Sequence, residues 1–327
     1  MNIGILSTAH MHVYSYMAAL RRLGVPIVGI YDDDAERGRR AAEATGVPFF
    51  PDAEPLLAQV DAVVVCSENA NHKRDVLAAA RHGRHILCEK PIATSVADAL
   101  EMIRACQQAG VILQMAFPVR YIAAVRQLRD LVQAGRLGRI LAMRGTNHGY
   151  MPGGWFIDHR LAGGGAVMDH TVHVADIMRW ILGAEVRRVY AEIDNRVHQK
   201  DIDDCGILTI EFDNGVFATL DPSWSRTDAY PIWGDVTLEV VGSGGTASLD
   251  AFAAHLNVYS VQDGKGVHEG YGEDMDYYLI KDFVETVAAG RQPLVDGVDG
   301  LRAMEVALAA YESAARGEPV EVTLAAV

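Results

Sequence analysis

The sequence predicts an α/β protein in two parts: a doubly wound parallel sheet over residues 1–118, then an α+β part with a mostly antiparallel open sheet over residues 119–327. Three features carry this. Short β-branched runs alternate with longer amphipathic stretches through the first third. A glycine follows each of those stretches. Past about residue 118 the helical period gives way to strands and tight turns.

Taken in order, residues 3–6, 26–31, 62–66, 85–88 and 111–116 read as strands. They are continuous apolar runs, as strands covered on both faces must be. Residues 11–23, 35–45, 71–82 and 95–109 read as the helices between them. Gly24, Gly46, Gly83 and Gly110 stand just past those helices, where a left-handed residue closes the last turn. The second part begins with a helix over 119–134 and a strand over 139–146. A helix over 163–182 follows, opened by three glycines, and strands dominate from Val186. Asn214-Gly215, inside 211–217, predicts a hairpin with a type I′ turn. Further turns are expected at 242–245 and 263–266, then helices over 275–289 and 301–315 and a strand over 320–324. Helices 163–182 and 275–289 are expected to cover one face of the second sheet. The other face is either solvated or meets another subunit, and the second is expected, in a homodimer or homotetramer.

The chain has 327 residues, with 29 basic against 43 acidic residues and a net charge of −14. That balance opposes binding to a phosphate backbone, so nucleic acid is excluded as an expected partner. The longest apolar runs, such as Ala62-Val63-Val64-Val65, are strand-sized, and no targeting or membrane segment is read. Cys66, Cys88, Cys106 and Cys205 show no C-x-x-C spacing, which suits reduced thiols in the cytoplasm.

Between the first strand and helix, a dinucleotide-binding turn would carry G-x-G-x-x-G. Here Ser7, Ala9 and His12 hold the three places, around Thr8, His10 and Met11. Ser and Ala are the next smallest residues, so a modified phosphate loop and an ordinary βα turn both remain open. The second strand ends in Asp32-Asp33-Asp34. A carboxylate there accepts from ribose hydroxyls and repels a 2′-phosphate, favouring NAD over NADP. The alternative is helix capping, and one of the three is expected to cap while another binds. Cys88-Glu89-Lys90-Pro91 puts a lysine at the carboxyl end of a parallel strand, where such sheets bind ligands. In 163–176, Asp169 and His173 share one helix face at i, i+4, and a carboxylate can orient a histidine base. His170 and Asp176 are expected to point elsewhere. A metal held by Asp169, His170 and His173 is the alternative, but the set lacks a cysteine and no metal is expected. A pair of satisfied helix polar groups is the remaining alternative.

On these stretches the chain resembles the Gfo/Idh/MocA family of NAD(P)-dependent oxidoreductases, along nearly its whole length. Glu89-Lys90-Pro91, the stretch 163–173, and Asp32-Asp33-Asp34-Ala35-Glu36-Arg37 carry the resemblance. So does Cys66-Ser67-Glu68-Asn69-Ala70-Asn71-His72, where the family usually has a Thr-Pro-Asn-like turn lining the cofactor. The resemblance implies a Rossmann-type first domain and a catalytic trio of Lys90, Asp169 and His173. It implies a cofactor lying along Ser7, Thr8, Ala9, His10, Met11, Asp32, Asp33, Cys66, Ser67, Asn69, His72, Glu89 and Lys90. The departures are the missing glycines and Glu68 in the proline place.

The activity so implied is hydride transfer between a secondary alcohol of a sugar or polyol and nicotinamide. Phe117, Arg120, Tyr150 and Trp155 are expected to join Lys90, Asp169 and His173 in holding substrate. Two other readings stand beside it: an NAD-binding sensor without chemistry, and an enzyme whose tightly held NAD drives elimination or glycoside cleavage by transient oxidation.

Overall fold

The computed structural model describes the backbone of residues 1–260, 265–270 and 274–327. Chain order begins β1 (Ile3–Leu6), α1 (Val13–Arg22), β2 (Ile27–Tyr31), α2 (Ala35–Thr45), β3 (Phe49–Phe50), α3 (Ala53–Leu57), β4 (Ala62–Val65), α4 (His72–Arg81), β5 (His85–Glu89), α5 (Val96–Ala109) and β6 (Leu113–Ala116). All six strands are parallel, in the order β3-β2-β1-β4-β5-β6. The order reverses between β1 and β4, so a crevice opens beyond their carboxyl ends, where such sheets take ligands. Short β3 and α3 were not expected, being too brief to show a period.

The chain continues with α6 (Ala123–Gln133), β7 (Ile140–His148), α7 (His159–Ala162), α8 (Ala166–Leu182), β8 (Val186–Asp194), β9 (Cys205–Phe212), β10 (Phe217–Ser223), β11 (Thr237–Gly242), β12 (Gly245–Asp250), β13 (His255–Ser260), β14 (Lys265–Gly270), α9 (Met275–Ala289), α10 (Gly297–Arg316) and β15 (Val320–Glu321). The second sheet runs β12-β11-β7-β10-β9-β8-β15 and is antiparallel except where β10 meets β7. Strands β13 and β14 form a separate ribbon. The turn expected at 263–266 begins on residues outside the described set.

Three expectations need correction. Gly215 alone takes a left-handed φ, 85°, with Gly215 N–H bonded to Phe212 O at 3.0 Å. The hairpin is therefore a three-residue loop ending on a glycine bulge, not type I′. Helix α10 begins four residues before the expected start, because Asp296 caps it, accepting from Val298 N at 2.8 Å and Asp299 N at 3.0 Å. Helix α9 packs on α1 rather than on the second sheet, whose covered face belongs to α8 and α10.

The first core joins Ile3, Ile5, Val63 and Val64 to Leu279, Ile280 and Phe283 of α9 and to Leu301 and Met304 of α10. The end of the chain thus returns to close the first sheet. The second core lies between the second sheet's inner face and α8, through Val174, Met178, Leu208, Leu220 and Leu238. Its outer face leaves Leu141, Ile207, Phe217 and Val241 exposed. No helix among the described residues is long and apolar enough to cross a membrane.

Candidate active site

The turn after β1 keeps the shape its missing glycine would have given. Ser7 sits in the left-handed region at φ 68°, a conformation costing an L-residue roughly 1–2 kcal/mol. Hydrogen bonds hold it there: Ser7 N to Tyr31 O at 2.7 Å, Ala9 N to Ser7 Oγ at 3.3 Å, and His10 N to Cys66 O at 2.9 Å. Met11 stays exposed, and α1 starts two residues later than expected.

His12, in the third glycine place, finds a role of its own. Its Nδ1 lies 3.0 Å from Glu89 Oε1, which also accepts from Tyr16 Oη at 2.6 Å. Burial alone would raise the Glu89 carboxyl, but His10 and His12 pull it far below its ordinary range. Burial pushes His10 down to about 3, whereas Glu89 outweighs burial at His12 and raises it. His12 is thus the counter-charge of a buried carboxylate. The ligand atoms of His10, His12 and Glu89 lie within 4.8 Å of one another, the one such group among the described residues. Hydrogen bonds from Tyr16 and His12 already account for that closeness. Asp169, His170 and His173 form no such group.

The three aspartates divide their work. Asp34 caps α2, accepting from Glu36 N and Arg37 N. Asp32 is saturated: Oδ2 accepts from Thr8 N at 2.8 Å and Thr8 Oγ1 at 2.7 Å, and Oδ1 accepts from Asp34 N and Arg37 Nη2. It positions the first loop. Asp33 bridges Arg37 and Arg74. After β4, Cys66 is buried, with burial pushing its thiol well up. Ser67 Oγ and Asn69 Oδ1 are buried without partners among the described residues, while Asn69 Nδ2 donates to Ala162 O at 2.8 Å. His72 is a correction. Its nitrogens lie 2.9 Å from Pro91 O and 3.1 Å from Ser67 O, so the ring braces two turns and has no edge left for a cofactor.

Lys90 follows β5 and meets Asp169 from α8. Nζ donates to Asp169 Oδ1 at 2.5 Å and lies 3.4 Å from Asp169 O. Asp169 Oδ2 accepts from Trp224 Nε1 at 3.1 Å. Burial would raise Asp169, yet the Lys90 ammonium holds it well below the carboxylate range. His170 does not point elsewhere: its Nε2 lies 3.3 Å from Asp169 Oδ2 and its Nδ1 2.8 Å from Asn147 O. Nor does Asp169 hydrogen-bond His173. The imidazole of His173 makes no hydrogen bond among the described residues, its Nδ1 is buried, and Phe117 meets it edge-on at 5.9 Å between centroids. Burial and the nearby Lys90 ammonium hold His173 well below its ordinary value, so it is neutral.

The glycines before α8 are needed for close packing. A Cβ on Gly165 would stand 2.0 Å from Asp203 O. Asp203 Oδ1 and Oδ2 in turn accept from Gly165 N and Val167 N, each at 2.8 Å, and Tyr311 Oη lies 3.1 Å from Met168 N. Sequence reasoning missed Asp203, Tyr311 and Asn147, which sit outside every recognisable stretch.

Of the expected substrate residues, Arg120 is a correction. It is fully buried, grips Asp176 at 2.6 and 2.5 Å, and reaches Leu294 O and Asp299. Tyr150 commits its hydroxyl to Tyr230 O. Trp155 stacks on Phe156 at 3.9 Å and donates from Nε1 to Ala9 O at 3.1 Å, reaching over the first loop.

Comparison with known proteins agrees with this architecture. Residues 2–117 match the family described as oxidoreductase, NAD-binding Rossmann fold, and residues 125–248 match the Gfo/Idh/MocA C-terminal domain. The chain is 30% identical to a 1,5-anhydro-D-fructose reductase of Ensifer adhaerens, over 94% of each chain. It is 30% identical to a myo-inositol 2-dehydrogenase of Thermotoga maritima, over 88% of each. Among solved structures, GenD2 from gentamicin A biosynthesis, in complex with NAD, is similar at a TM-score of 0.90 and 25% identity, covering 99% of this chain and 96% of that one. With its parallel and antiparallel sheets, its Glu89-Lys90-Pro91 strand end and its glycine-opened α8, the chain belongs to the Gfo/Idh/MocA family of oxidoreductases.

Proposed function

We propose that this enzyme transfers a hydride between a secondary alcohol of a sugar or polyol and NAD. One observation carries the reading: an ammonium clamped on Asp169 beside a neutral imidazole that has no hydrogen bond among the described residues. Ser67 Oγ and Asn69 Oδ1, buried after β4 without partners among the described residues, fit a dinucleotide lying in the crevice between β1 and β4. When bound, nicotinamide supplies the hydride acceptor.

The side chains then take these parts. Lys90 has three N–H donors. Two face Asp169, and the third binds the substrate oxygen and stabilises its developing negative charge. His173 takes the hydroxyl proton on a ring nitrogen. Because burial and the Lys90 ammonium hold it well below its ordinary value, it starts neutral near pH 7, as a base must. Asp169, held by Trp224, fixes Lys90. Residues 1–118 serve the cofactor and 119–327 the substrate, with Trp155 joining the two.

The acidic surroundings of Asp32 and Asp33 favour NAD over NADP. The exposed apolar residues Leu141, Ile207, Phe217 and Val241 suit a homodimer or homotetramer contact through the second sheet. A cytoplasmic location accords with four free thiols. The test is a panel of sugars and polyols, with absorbance at the reduced-nicotinamide wavelength as readout. NADH formation with one of them is expected. No response to any, with NAD bound, would favour the sensor.

The tightly held cofactor keeps a specific observation in its favour. Trp155 on Ala9 O and Asn69 on Ala162 O lay residues 155–162 across both loops that border the crevice. Product without net NADH, and dinucleotide released only on denaturation, would select it.

A further inference from the structure

Arg37 is a cation at the carboxyl end of β2, and three carboxylates hold it. Nη2 lies 2.7 Å from Asp32 Oδ1 and 3.0 Å from Asp33 Oδ1, while Nη1 lies 2.8 Å from Glu68 Oε1. The guanidinium therefore crosses above the turn that follows β1, touching Ser7 Oγ at 3.3 Å, and joins the ends of β2 and β4. Glu68 is nearly buried, and its second oxygen accepts from Asn71 Nδ2 at 2.9 Å, so it cannot easily swing away.

We propose that Glu68 sets the dinucleotide preference of this site, by holding Arg37 against Asp32 and Asp33 so that it cannot turn to a 2′-phosphate. This deepens the cofactor reading above and rests on it. An arginine near the end of the second strand is the usual partner of that phosphate. Here the arginine is present but committed. Among the described residues, the cations that pair with Asp32, Asp33, Glu68 and Asp75 are Arg37 and Arg74. A phosphate monoester would add about two further negative charges to four carboxylates and two guanidiniums. Ribose hydroxyls meet no such penalty, because they carry no charge.

Calorimetric titration of the full chain with NAD and with NADP tests this. The wild-type chain is expected to bind NAD more tightly. Glu68→Gln keeps the shape and removes the charge, and Glu68→Thr removes the reach. Both should lower the Kd for NADP roughly tenfold or more, while the Kd for NAD moves by less than about threefold. Adenosine 2′,5′-bisphosphate against AMP should repeat the shift without the nicotinamide half. If both dinucleotides bind and their ratio is the same in wild type and both variants, the proposal fails alone. If the wild-type chain prefers NADP, it also fails. If the wild-type chain binds neither, the cofactor reading falls and takes this one with it.

Discussion

Two charged clusters lie at the carboxyl ends of the parallel strands, and they are finished differently. Around Arg37, Asp32 has hydrogen-bond donors on both oxygens and Asp33 and Glu68 each hold a guanidinium nitrogen. Around Lys90, Asp169 is equally well held, but the neighbouring His173 makes no hydrogen bond among the described residues. A saturated cluster sets geometry. A buried polar group left without a partner is held ready for something that arrives later. On the proposed function, the first cluster recognises and the second reacts.

The comparison breaks first at the reacting end. Lys90→Ala and His173→Ala should each lower kcat by roughly a hundred- to ten-thousand-fold, with NAD affinity by calorimetry nearly unchanged. Equal losses of NAD affinity would erase the distinction between the two ends. Next in size, Arg120→Met tests a saturated pair one helical turn from His173. It leaves Asp176 buried and unpaired, and should cost about 3–5 kcal/mol in urea unfolding while the folded fraction keeps its turnover.

Acid titration sharpens the comparison. Burial holds His10, His72, His170 and His173 neutral in the native state. Below pH 6.5 the unfolded chain binds protons that the native chain refuses, so stability falls with pH, by up to about 1.4 kcal/mol per unit for each histidine. His148 acts in the opposite sense. Burial lowers it, but hydrogen bonds to Asp221 and Asp235 win and raise it to about 9. Its contribution is complete below 6.5 and is lost as pH rises through 9. Tm should therefore peak near neutrality, and His148→Gln should flatten the alkaline side. A Tm that keeps rising on acidification would contradict the neutral histidines.

The smallest effects belong to the first loop. Trp155→Phe removes the bond to Ala9 O and should cost about 0.5–1.5 kcal/mol, read as faster dinucleotide release in stopped flow. Ser7→Gly removes the left-handed strain but loosens the unfolded chain, so Tm should move by no more than about 1 kcal/mol equivalent.

Several residues could be read in advance because their signal is local. The parallel strands, the glycine stops, the Asp34 cap and the lysine at the end of β5 each follow from neighbours a few positions away. Arg120 misled because an arginine beside aromatics looks the same in sequence whether it meets a ligand or Asp176, 56 positions on. His170 misled because helix periodicity gives a direction but says nothing of Asn147 and Trp224, which close the space around Asp169. Asn214-Gly215 misled because one left-handed residue was enough once the loop took three residues.

From the sequence alone came the two sheet types, the family resemblance, and Lys90, Asp169 and His173 as candidates, since hydrophobic period, turn chemistry and short motifs are properties of neighbouring residues. Only the tertiary structure decided that Asp169 serves Lys90 rather than His173, that His12 balances Glu89, and that Glu68 meets Arg37. Those are pairings across 79, 77 and 31 positions, made by strands brought side by side and helices packed on them, and burial then decides which charge survives.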